Sequence, residues 1–405
     1  MRNVSRRVLF VERSWIRPVP VGIVTAVVGF TSSFAVVLAG LRGAGADPGQ
    51  AASGLVALTL LQGVGTVWLS RRFRRPLTVA WSTPGAALLA SAGPVAGGWP
   101  AVVGAFLVTG VLIVLTGLWG RLGRLVAAIP APLAQAMLAG VLLPLCLAPV
   151  RSLVERPLLV APIVVVWVVL QRYAPRWASP AAFSLALVIV VATADGTAWL
   201  QLPALAVTAP SFEVAAVVGV ALPLYVVTMA SQNVPGVAVM SAAGYEVPWR
   251  YAMVLTGAGT VAGAPAGGHA VNLAAITAAL PASPEAHSDP ARRWIAAQAT
   301  GWTSLLLAPV ATTLAALVTA APPGVIEAVA GLALLGTFAA ALASALTTTR
   351  TDPVARVPPI ATFLVAASGT VVAGIGAAFW GLVAGLVLHA VLRPREPATA
   401  TGDGR

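Results

Sequence analysis

The chain contains no lysine, one cysteine and 12 acidic residues, and charged residues make up only 9% of its 405 residues. Because Cys146 is the only cysteine, an intrachain disulfide is excluded, and we expect no metal site. A soluble domain carries about 25% charged residues. Since 59% of the residues are hydrophobic and the mean hydropathy is +0.92, the chain has too few charges to cover itself with a water-compatible surface. We therefore expect lipid to be its solvent.

The basic residues give a net charge of +12, but they do not form one face. All 24 are arginines, and they occur in short clusters between apolar runs. Membrane topology explains this distribution better than nucleic-acid binding does, so we expect no nucleic-acid partner. Residues 1–17 lack a long apolar core followed by a small-residue cleavage site, and we interpret them as a basic cytoplasmic tail.

Clusters of arginine, proline and glycine separate fourteen apolar runs, which predict fourteen transmembrane segments. Most are close to the roughly 20 residues that a spanning helix needs, and the third, tenth, thirteenth and fourteenth are shorter. In chain order the segments are Val19–Gly40, Ala51–Ser70, Leu77–Ala92, Trp99–Leu118, Leu122–Leu147, Leu158–Gln171, Pro180–Leu200, Val214–Met240, Tyr251–Gly267, His269–Leu280, Ile295–Leu317, Val325–Leu346, Pro359–Ala373 and Ala377–Leu392.

The arginines agree with this map. With the N-terminus inside the cell, 21 arginines fall on the inside, and only Arg42, Arg151 and Arg156 fall in outside loops. This bias predicts a multi-pass protein of the inner membrane with both termini cytoplasmic. It also predicts that Gly374–Gly376 divides the last two segments, because one long helix there would put the C-terminal arginines outside.

Seven segments in each half make two repeats that enter the membrane from opposite sides, which is the inverted-repeat architecture. Weak internal similarity agrees, since Ala86–Leu89 matches Thr277–Leu280 at an offset of 191 residues and Ala139-Gly140 matches Ala330-Gly331 at the same offset. The predicted division is a tail at 1–17, a first repeat at 18–202, a second repeat at 213–393 and a C-terminal tail at 394–405.

Acidic residues are absent from the middle of every predicted segment. A cation transporter normally keeps a buried carboxylate in the membrane, so this absence favours an anionic or neutral substrate.

The sequence also contains no phosphate-binding loop with its lysine, no HExxH zinc motif and no cluster of a nucleophile with a base. We therefore expect neither an enzyme nor an ATP-driven pump, and no cofactor.

Segments three and ten occupy corresponding positions in the two halves, and both are short and interrupted. In segment three, an extended run at Leu77–Trp81 leads into Ser82-Thr83-Pro84, a signature of a helix start. In segment ten, the extended run ends at Asn272, a predicted cap for a half-helix over Leu273–Leu280. Two opposed half-helix N-termini would form a site for a carboxylate. The alternative is a pair of proline or glycine kinks in ordinary helices.

His269 is the only ionisable side chain that we predict in the central membrane region. Histidine titrates near pH ~6.5 and responds to a neighbouring charge, so His269 is our candidate for proton coupling beside a bound anion. The alternative is a neutral histidine that donates to a nearby carbonyl.

The loop 284–293 carries acidic residues, a histidine and two arginines. Surface ion pairs explain that loop better than a cytoplasmic gate or proton exit does.

Segment eight contains the polar run Ser231-Gln232-Asn233 directly before a proline. Such a run is costly in hydrocarbon unless it faces a cavity or a neighbouring helix. We predict that Gln232 and Asn233 bind the substrate, with interhelical hydrogen bonding as the alternative. At comparable depth in segment one, Ser32 and Ser33 offer hydroxyls and Phe34 offers a ring, although helix packing explains them nearly as well.

The same motifs make the chain resemble the benzoate/proton symporter family. The matching stretches cover nearly the whole chain, and those of segments eight and ten are long enough to be specific. They are Ala80–Ala86, Ala136–Leu143, Ser231–Val239, Gly268–Ala279 and Glu285–His287 with Asp289 and Arg293.

That family is similar in architecture to uracil/proton symporters and sulfate transporters. The resemblance implies an all-α membrane protein of 7+7 inverted segments, with a core of segments one to four and eight to eleven and a gate of segments five to seven and twelve to fourteen. In the nucleobase relatives, acidic residues of segments eight and ten contact the substrate or carry the proton. This chain has Gln232 and His269 at those places, a departure that fits an anionic substrate.

The resemblance implies proton-coupled import of an aromatic carboxylate, benzoate first, by elevator-like motion of the core against the gate. Alternatives are another organic anion, a nucleobase-like substrate or a passive anion channel. The expected partners are the aromatic acid, a proton and the lipid bilayer, and the sequence leaves a homodimer open. His269 would take the proton, and the predicted substrate-binding residues are Ser32, Ser33, Phe34, Trp81, Ser82, Thr83, Gln232, Asn233 and Asn272.

Overall fold

The computed structural model of the chain describes residues 18–93, 95–193, 204–275, 277–347 and 354–392. Both predicted tails and the end of the seventh predicted segment lie outside these residues. The described residues form a predominantly helical protein with two small antiparallel sheets.

Most of the described residues lie in helices. The helices are α1 (Pro18–Gly43), α2 (Pro48–Phe73), α3 (Thr83–Ser91), α4 (Gly98–Leu118), α5 (Gly120–Ala127), α6 (Ala131–Glu155), α7 (Pro157–Tyr173), α8 (Pro175–Thr193), α9 (Val214–Ala242), α10 (Trp249–Gly263), α11 (Ala279–Ala282), α12 (Trp294–Thr319), α13 (Val325–Thr347), α14 (Val357–Ala367) and α15 (Ala377–Leu392). Within α9 there are two π-helical stretches, Val217–Ala221 and Met229–Asn233. Among the described residues, eight helices (α1, α2, α4, α6, α8, α9, α12 and α13) are long and apolar enough to cross a membrane, and α7, α14 and α15 are shorter and apolar. The strands are β1 (Val79–Trp81), β2 (Val271–Leu273), β3 (Val371–Val372) and β4 (Ile375–Gly376).

Local sequence signals explain where several helices begin and end. The helix α2 begins at a capping box, in which Asp47 Oδ1 accepts from Gln50 N at 2.8 Å and Gln50 Oε1 accepts from Asp47 N at 3.0 Å. Pro48 fills the first helical position, where its missing N–H costs nothing. Arg74, with φ of 49°, takes the left-handed conformation that ends the helix.

The predicted break between the last two segments is confirmed. Strands β3 and β4 form a two-residue hairpin between α14 and α15, and its turn residues Ala373 and Gly374 have φ of 52° and 75°. Positive φ at both turn positions matches the twist of the strands and favours glycine at the second position.

The predicted fifth segment, Leu122–Leu147, is wrong at its start. Its first residues belong to the separate short helix α5, which carries exposed Arg121 and Arg124. The membrane-length helix α6 begins only after Pro130, because a proline cannot continue a helix that precedes it.

Small residues bring the long helices into close contact in pairs. The most extensive contacts join α2 to α12, α4 to α10, α6 to α13 and α1 to α12. At Gly63 of α2 a Cβ would lie 3.0 Å from Gly301 O of α12, and at Gly257 of α10 a Cβ would lie 2.7 Å from Gly110 O of α4. Helix association in a membrane depends on such close packing of small residues.

We expect Gly257→Ala to destabilise the protein, because the new Cβ would lie 2.6 Å from Val114 N and would force α10 away from α4. Overpacking of this kind costs about 1–3 kcal/mol. Gly259→Ala is the matched control, since its Cβ would meet only Leu61 Cδ2 at 4.0 Å. Thermal unfolding in detergent should show a lower melting temperature for Gly257→Ala alone; equal values for the two variants would contradict the close packing.

Candidate functional site

The two interrupted segments meet in the interior through β1 and β2. The strands pair antiparallel with Val79 opposite Leu273, Ala80 opposite Asn272 and Trp81 opposite Val271. The ladder continues on both sides, since Ser82 N donates to Ala270 O at 2.9 Å and Ala274 N donates to Thr78 O at 3.0 Å. Extended backbone is tolerated at membrane depth only where protein groups satisfy it, and each strand does this for the other.

A threonine hydroxyl satisfies one N–H group on the outer edge of each strand. Thr66 Oγ1 of α2 accepts from Val79 N at 2.8 Å, and Thr260 Oγ1 of α10 accepts from Val271 N at 3.0 Å. Both threonines are buried. The two broken segments therefore share one supporting arrangement, a strand held against the preceding long helix by a single hydroxyl.

Segment three folds as predicted, with a strand followed by the half-helix α3. Ser82 caps α3, and its Oγ accepts from Gly85 N at 3.1 Å and from Thr228 Oγ1 at 2.9 Å. Pro84 has no N–H to offer. What α3 presents at its start is therefore the positive end of its dipole together with the Thr83 side chain.

The half-helix predicted over Leu273–Leu280 is wrong, and so is the prediction of Asn272 as its cap. Among the described residues of this stretch, only Ala279–Ala282 are helical, and Asn272 lies inside β2. The reason is that Asn233 Oδ1 accepts from Leu273 N at 2.9 Å, while Ala274 N is bonded to Thr78. These N–H groups, which would be free at a helix start, complete the sheet instead.

Between the strand pair and helices α6, α8 and α13 lies a cavity of about 830 Å³. Five of the predicted substrate-binding residues line it: Ser32, Ser33, Trp81, Thr83 and Gln232. Phe34, Ser82, Asn233, Asn272 and His269 lie behind its wall, since none belongs to the described lining. A cavity of this size lies in the range of small-molecule sites, about 300–1,000 Å³.

Aromatic rings form part of the cavity lining. Trp81 and Phe30 line it with ring centroids 5.7 Å apart, and Trp81 Nε1 donates to Ser33 Oγ at 3.0 Å. Behind them, Phe34 lies 5.3 Å from Phe30 and 5.5 Å from Phe183 of α8, and both Phe34 and Phe183 are buried. The contact between Phe34 and Phe183 thus joins the helices on opposite sides of the cavity.

His269 lies on the other side of the strand pair. It is fully buried, and its ring centroid is 6.4 Å from that of Phe106 in α4. Neither ring nitrogen has a hydrogen-bond partner among the described residues. The structure therefore does not bring His269 together with the residues that line the cavity.

Sequence reasoning missed several polar residues of the lining. Ser231 Oγ and Thr78 Oγ1 are buried and have no hydrogen-bond partner among the described residues. Gln135 and Thr337 face the cavity from α6 and α13, and Arg176 at the start of α8 is the only charged residue of the described lining. The polar run of segment eight pointed to Ser231, whereas nothing in the sequence distinguishes Arg176 from the other loop arginines.

A multi-pass helical chain whose two broken segments meet over a central cavity defines a membrane transporter. The fold is similar to the transmembrane domain of the cyanobacterial bicarbonate transporter BicA, with a TM-score of 0.62 and 15% identity over 92% of this chain and 98% of that one. It is also similar to SLC26A9, with a TM-score of 0.66 and 11% identity over 94% of this chain and 65% of that one.

Sequence comparison identifies the family, which the fold alone does not. The chain belongs to the BenE family of benzoate membrane transport proteins, whose family model matches residues 15–391. It is 41% identical over 374 residues to the inner membrane protein YdcO of Escherichia coli (strain K12), covering 92% of this chain and 94% of that protein. It is 29% identical over 346 residues to the benzoate membrane transport protein of Acinetobacter baylyi, covering 83% and 85%.

The neighbours Gln232 and Asn233 should respond differently to substitution. Asn233→Ala leaves the buried Leu273 N–H without its acceptor, which costs about 1–3 kcal/mol, so the melting temperature in detergent should fall. The side chain of Gln232 faces the cavity and makes no hydrogen bond to the described residues, so Gln232→Ala should leave the melting temperature close to that of the parent. An equal loss of stability in both variants would show that Gln232 also holds the fold.

Proposed function

We propose that the protein is a proton-coupled secondary transporter that imports an aromatic carboxylate, with benzoate as the first candidate. The observation that carries this proposal is the chemistry of the cavity. Its described lining combines aromatic and aliphatic side chains with uncharged hydroxyl and amide groups, and the one charged residue is an arginine. An apolar ring with one negative group fits such a site, whereas a cation would find no carboxylate among the described lining residues.

In this proposal, the carboxylate lies at the start of α3. The dipole of α3 favours negative charge there, and the unpartnered hydroxyl of Ser231 supplies a donor. Gln232 orients the substrate, and Phe30 and Trp81 pack against the ring. Phe34, Ser82, Asn233 and Asn272 act indirectly, through the wall that holds these groups in place.

The close helix contacts of the fold support the proposal of 7+7 inverted repeats. In such repeats α2 of the first half corresponds to α10 of the second, and α4 corresponds to α12, so the α2–α12 contact has its counterpart in the α10–α4 contact. Gly63 then corresponds to Gly257, and Thr66 corresponds to Thr260. We propose repeats at 18–202 and 213–393 in a protein of the inner membrane, with both termini in the cytoplasm.

The position of the cavity supports alternating access. One wall consists of proposed core elements, chiefly α1, α3, α9 and α12, and the other of gate helices α6, α8 and α13. The lining residues on these helices lie toward the ends that the arginine bias assigns to the cytoplasm. Phe34 and Phe183 lie just beyond the last lining residues of α1 and α8 and contact each other, and we propose that they close the opposite end. We propose that the structure is an inward-facing state and that the core moves past the gate to open the other side.

A cross-link between positions 34 and 183 should stop transport. In a Cys146→Ser background, Phe34→Cys with Phe183→Cys would place two thiols across the core–gate contact. A bifunctional thiol reagent with a reducible linker should abolish uptake, because the core could no longer move past the gate, and reductant should restore it. Each single-cysteine variant is the control, and undiminished uptake in the linked double variant would contradict the motion.

The function is tested by uptake of labelled benzoate into proteoliposomes under an imposed pH gradient. We expect accumulation above equilibrium, driven by the gradient and abolished by a protonophore. Uptake of other anions but not of benzoate would refute benzoate as the substrate, but the protein would still be a secondary anion transporter. Equilibration without accumulation would favour a passive anion channel instead.

His269 is the proposed proton carrier, because it alone among the described acidic and histidine side chains is fully buried. An imidazole without partners has to gain water or a counter-charge when it is protonated, which couples its charge to movement of the strand pair. We expect His269→Ala to lose gradient-driven accumulation and to keep benzoate exchange at equal pH. Unchanged dependence on the gradient would refute the assignment.

A further inference from the structure

Arg176 occupies an unusual place for a charged side chain in this protein. It lies at the second position of α8, next to Pro175, and it lines the cavity, where no other charged residue of the described chain is found. Its side chain is 59% exposed, so its guanidinium remains in contact with solvent at the mouth of the cavity. An arginine there presents a fixed positive charge to anything that passes between the cavity and the solution.

Arg176 is paired across the mouth of the cavity. Its Nη1 lies 3.6 Å from Oε2 of Glu285, which belongs to the loop that follows α11. Arg176 is carried by a gate helix and Glu285 by the core side, so the ion pair crosses the interface whose two sides would move in transport. Glu285 is 66% exposed, and ion pairs between exposed side chains are weak and easily exchanged.

We propose that Arg176 is the anion-recruiting and specificity-determining residue at the mouth of the cavity, and that the carboxylate of Glu285 competes with the substrate carboxylate for it. This inference rests on the proposed function. A substrate carboxylate that reaches the mouth offers Arg176 the same two oxygens as Glu285 does, and guanidinium binds carboxylates through two parallel hydrogen bonds. Exchange of one carboxylate for the other brings the anion to the cavity and at the same time releases the tie between core and gate.

The competition makes an unusual prediction, which is that loss of the two partners has opposite effects. Arg176→Gln removes the recruiting charge, so benzoate should associate more slowly and bind about fivefold more weakly at low ionic strength. Glu285→Gln removes the competitor, so benzoate should bind more tightly than to the parent. High salt should reduce both differences, because the charges at the mouth are exposed to solvent.

The experiment is equilibrium and stopped-flow binding of benzoate to the purified full-length protein in detergent at low and high salt. Arg172→Gln is the matched control: it removes an arginine four residues earlier, which lies over the ring of Tyr173 and does not line the cavity. Melting temperatures of all variants verify that the fold is intact. Benzyl alcohol, which has the ring without the charge, should bind equally to the parent and to Arg176→Gln.

The outcomes separate this inference from the proposed function. Opposite shifts for Arg176→Gln and Glu285→Gln, with Arg172→Gln unchanged, support the assignment. Shifts in the same direction would mean that the pair is only a mechanical tie, and equal effects of Arg176→Gln and Arg172→Gln would mean a general effect of surface charge; either result overturns the assignment alone. Absence of benzoate binding in the parent would overturn the proposed substrate and this assignment with it.

Discussion

The pairing of β1 with β2 is the constraint on which the rest of the structure depends. Two extended backbone segments lie inside a chain whose solvent is lipid, and each unsatisfied N–H or C=O there would cost several kcal/mol, on the order of 2–7. The strands satisfy each other along one edge, and Thr66 and Thr260 satisfy Val79 and Val271 along the other edges. A glycine also helps Thr66 to reach its strand: at Gly65 of α2 a Cβ would lie 3.2 Å from Val79 Cγ2, so the missing side chain lets α2 approach β1 closely.

Short-range signals made much of this fold predictable. Ser82 before Thr83-Pro84 specifies a helix start by local chemistry alone, and the structure has that start. The half-helix after Asn272 failed because its competitor is distant in sequence: Asn233, 40 residues away, takes the Leu273 N–H and keeps the chain in the sheet. Periodicity and capping rules contain no information about such a partner.

The candidate site could also be predicted from the sequence only in part. The polar run of segment eight identified the right stretch, but it could not tell that Gln232 faces the cavity and Asn233 faces β2, because π-helical turns at Met229–Asn233 change the spacing of side chains along the helix. Arg176 could not be found from sequence, since its role depends on where α8 begins relative to helices far away in the chain. Residues that build the wall, such as Ser82 and Asn233, resemble binding residues in sequence because a buried wall needs the same polar groups as a site.

The central claim is that the cavity between the strand pair and helices α6, α8 and α13 holds an aromatic carboxylate. A structure of the protein bound to 4-bromobenzoate tests it most directly, because the bromine marks the ring and the opposite end of the ligand marks the carboxylate. The account predicts density in this cavity, with the carboxylate near Thr83 and Ser231 and the ring against Phe30 and Trp81. Ligand density elsewhere, or in the cavity with the carboxylate toward Phe30, would contradict it.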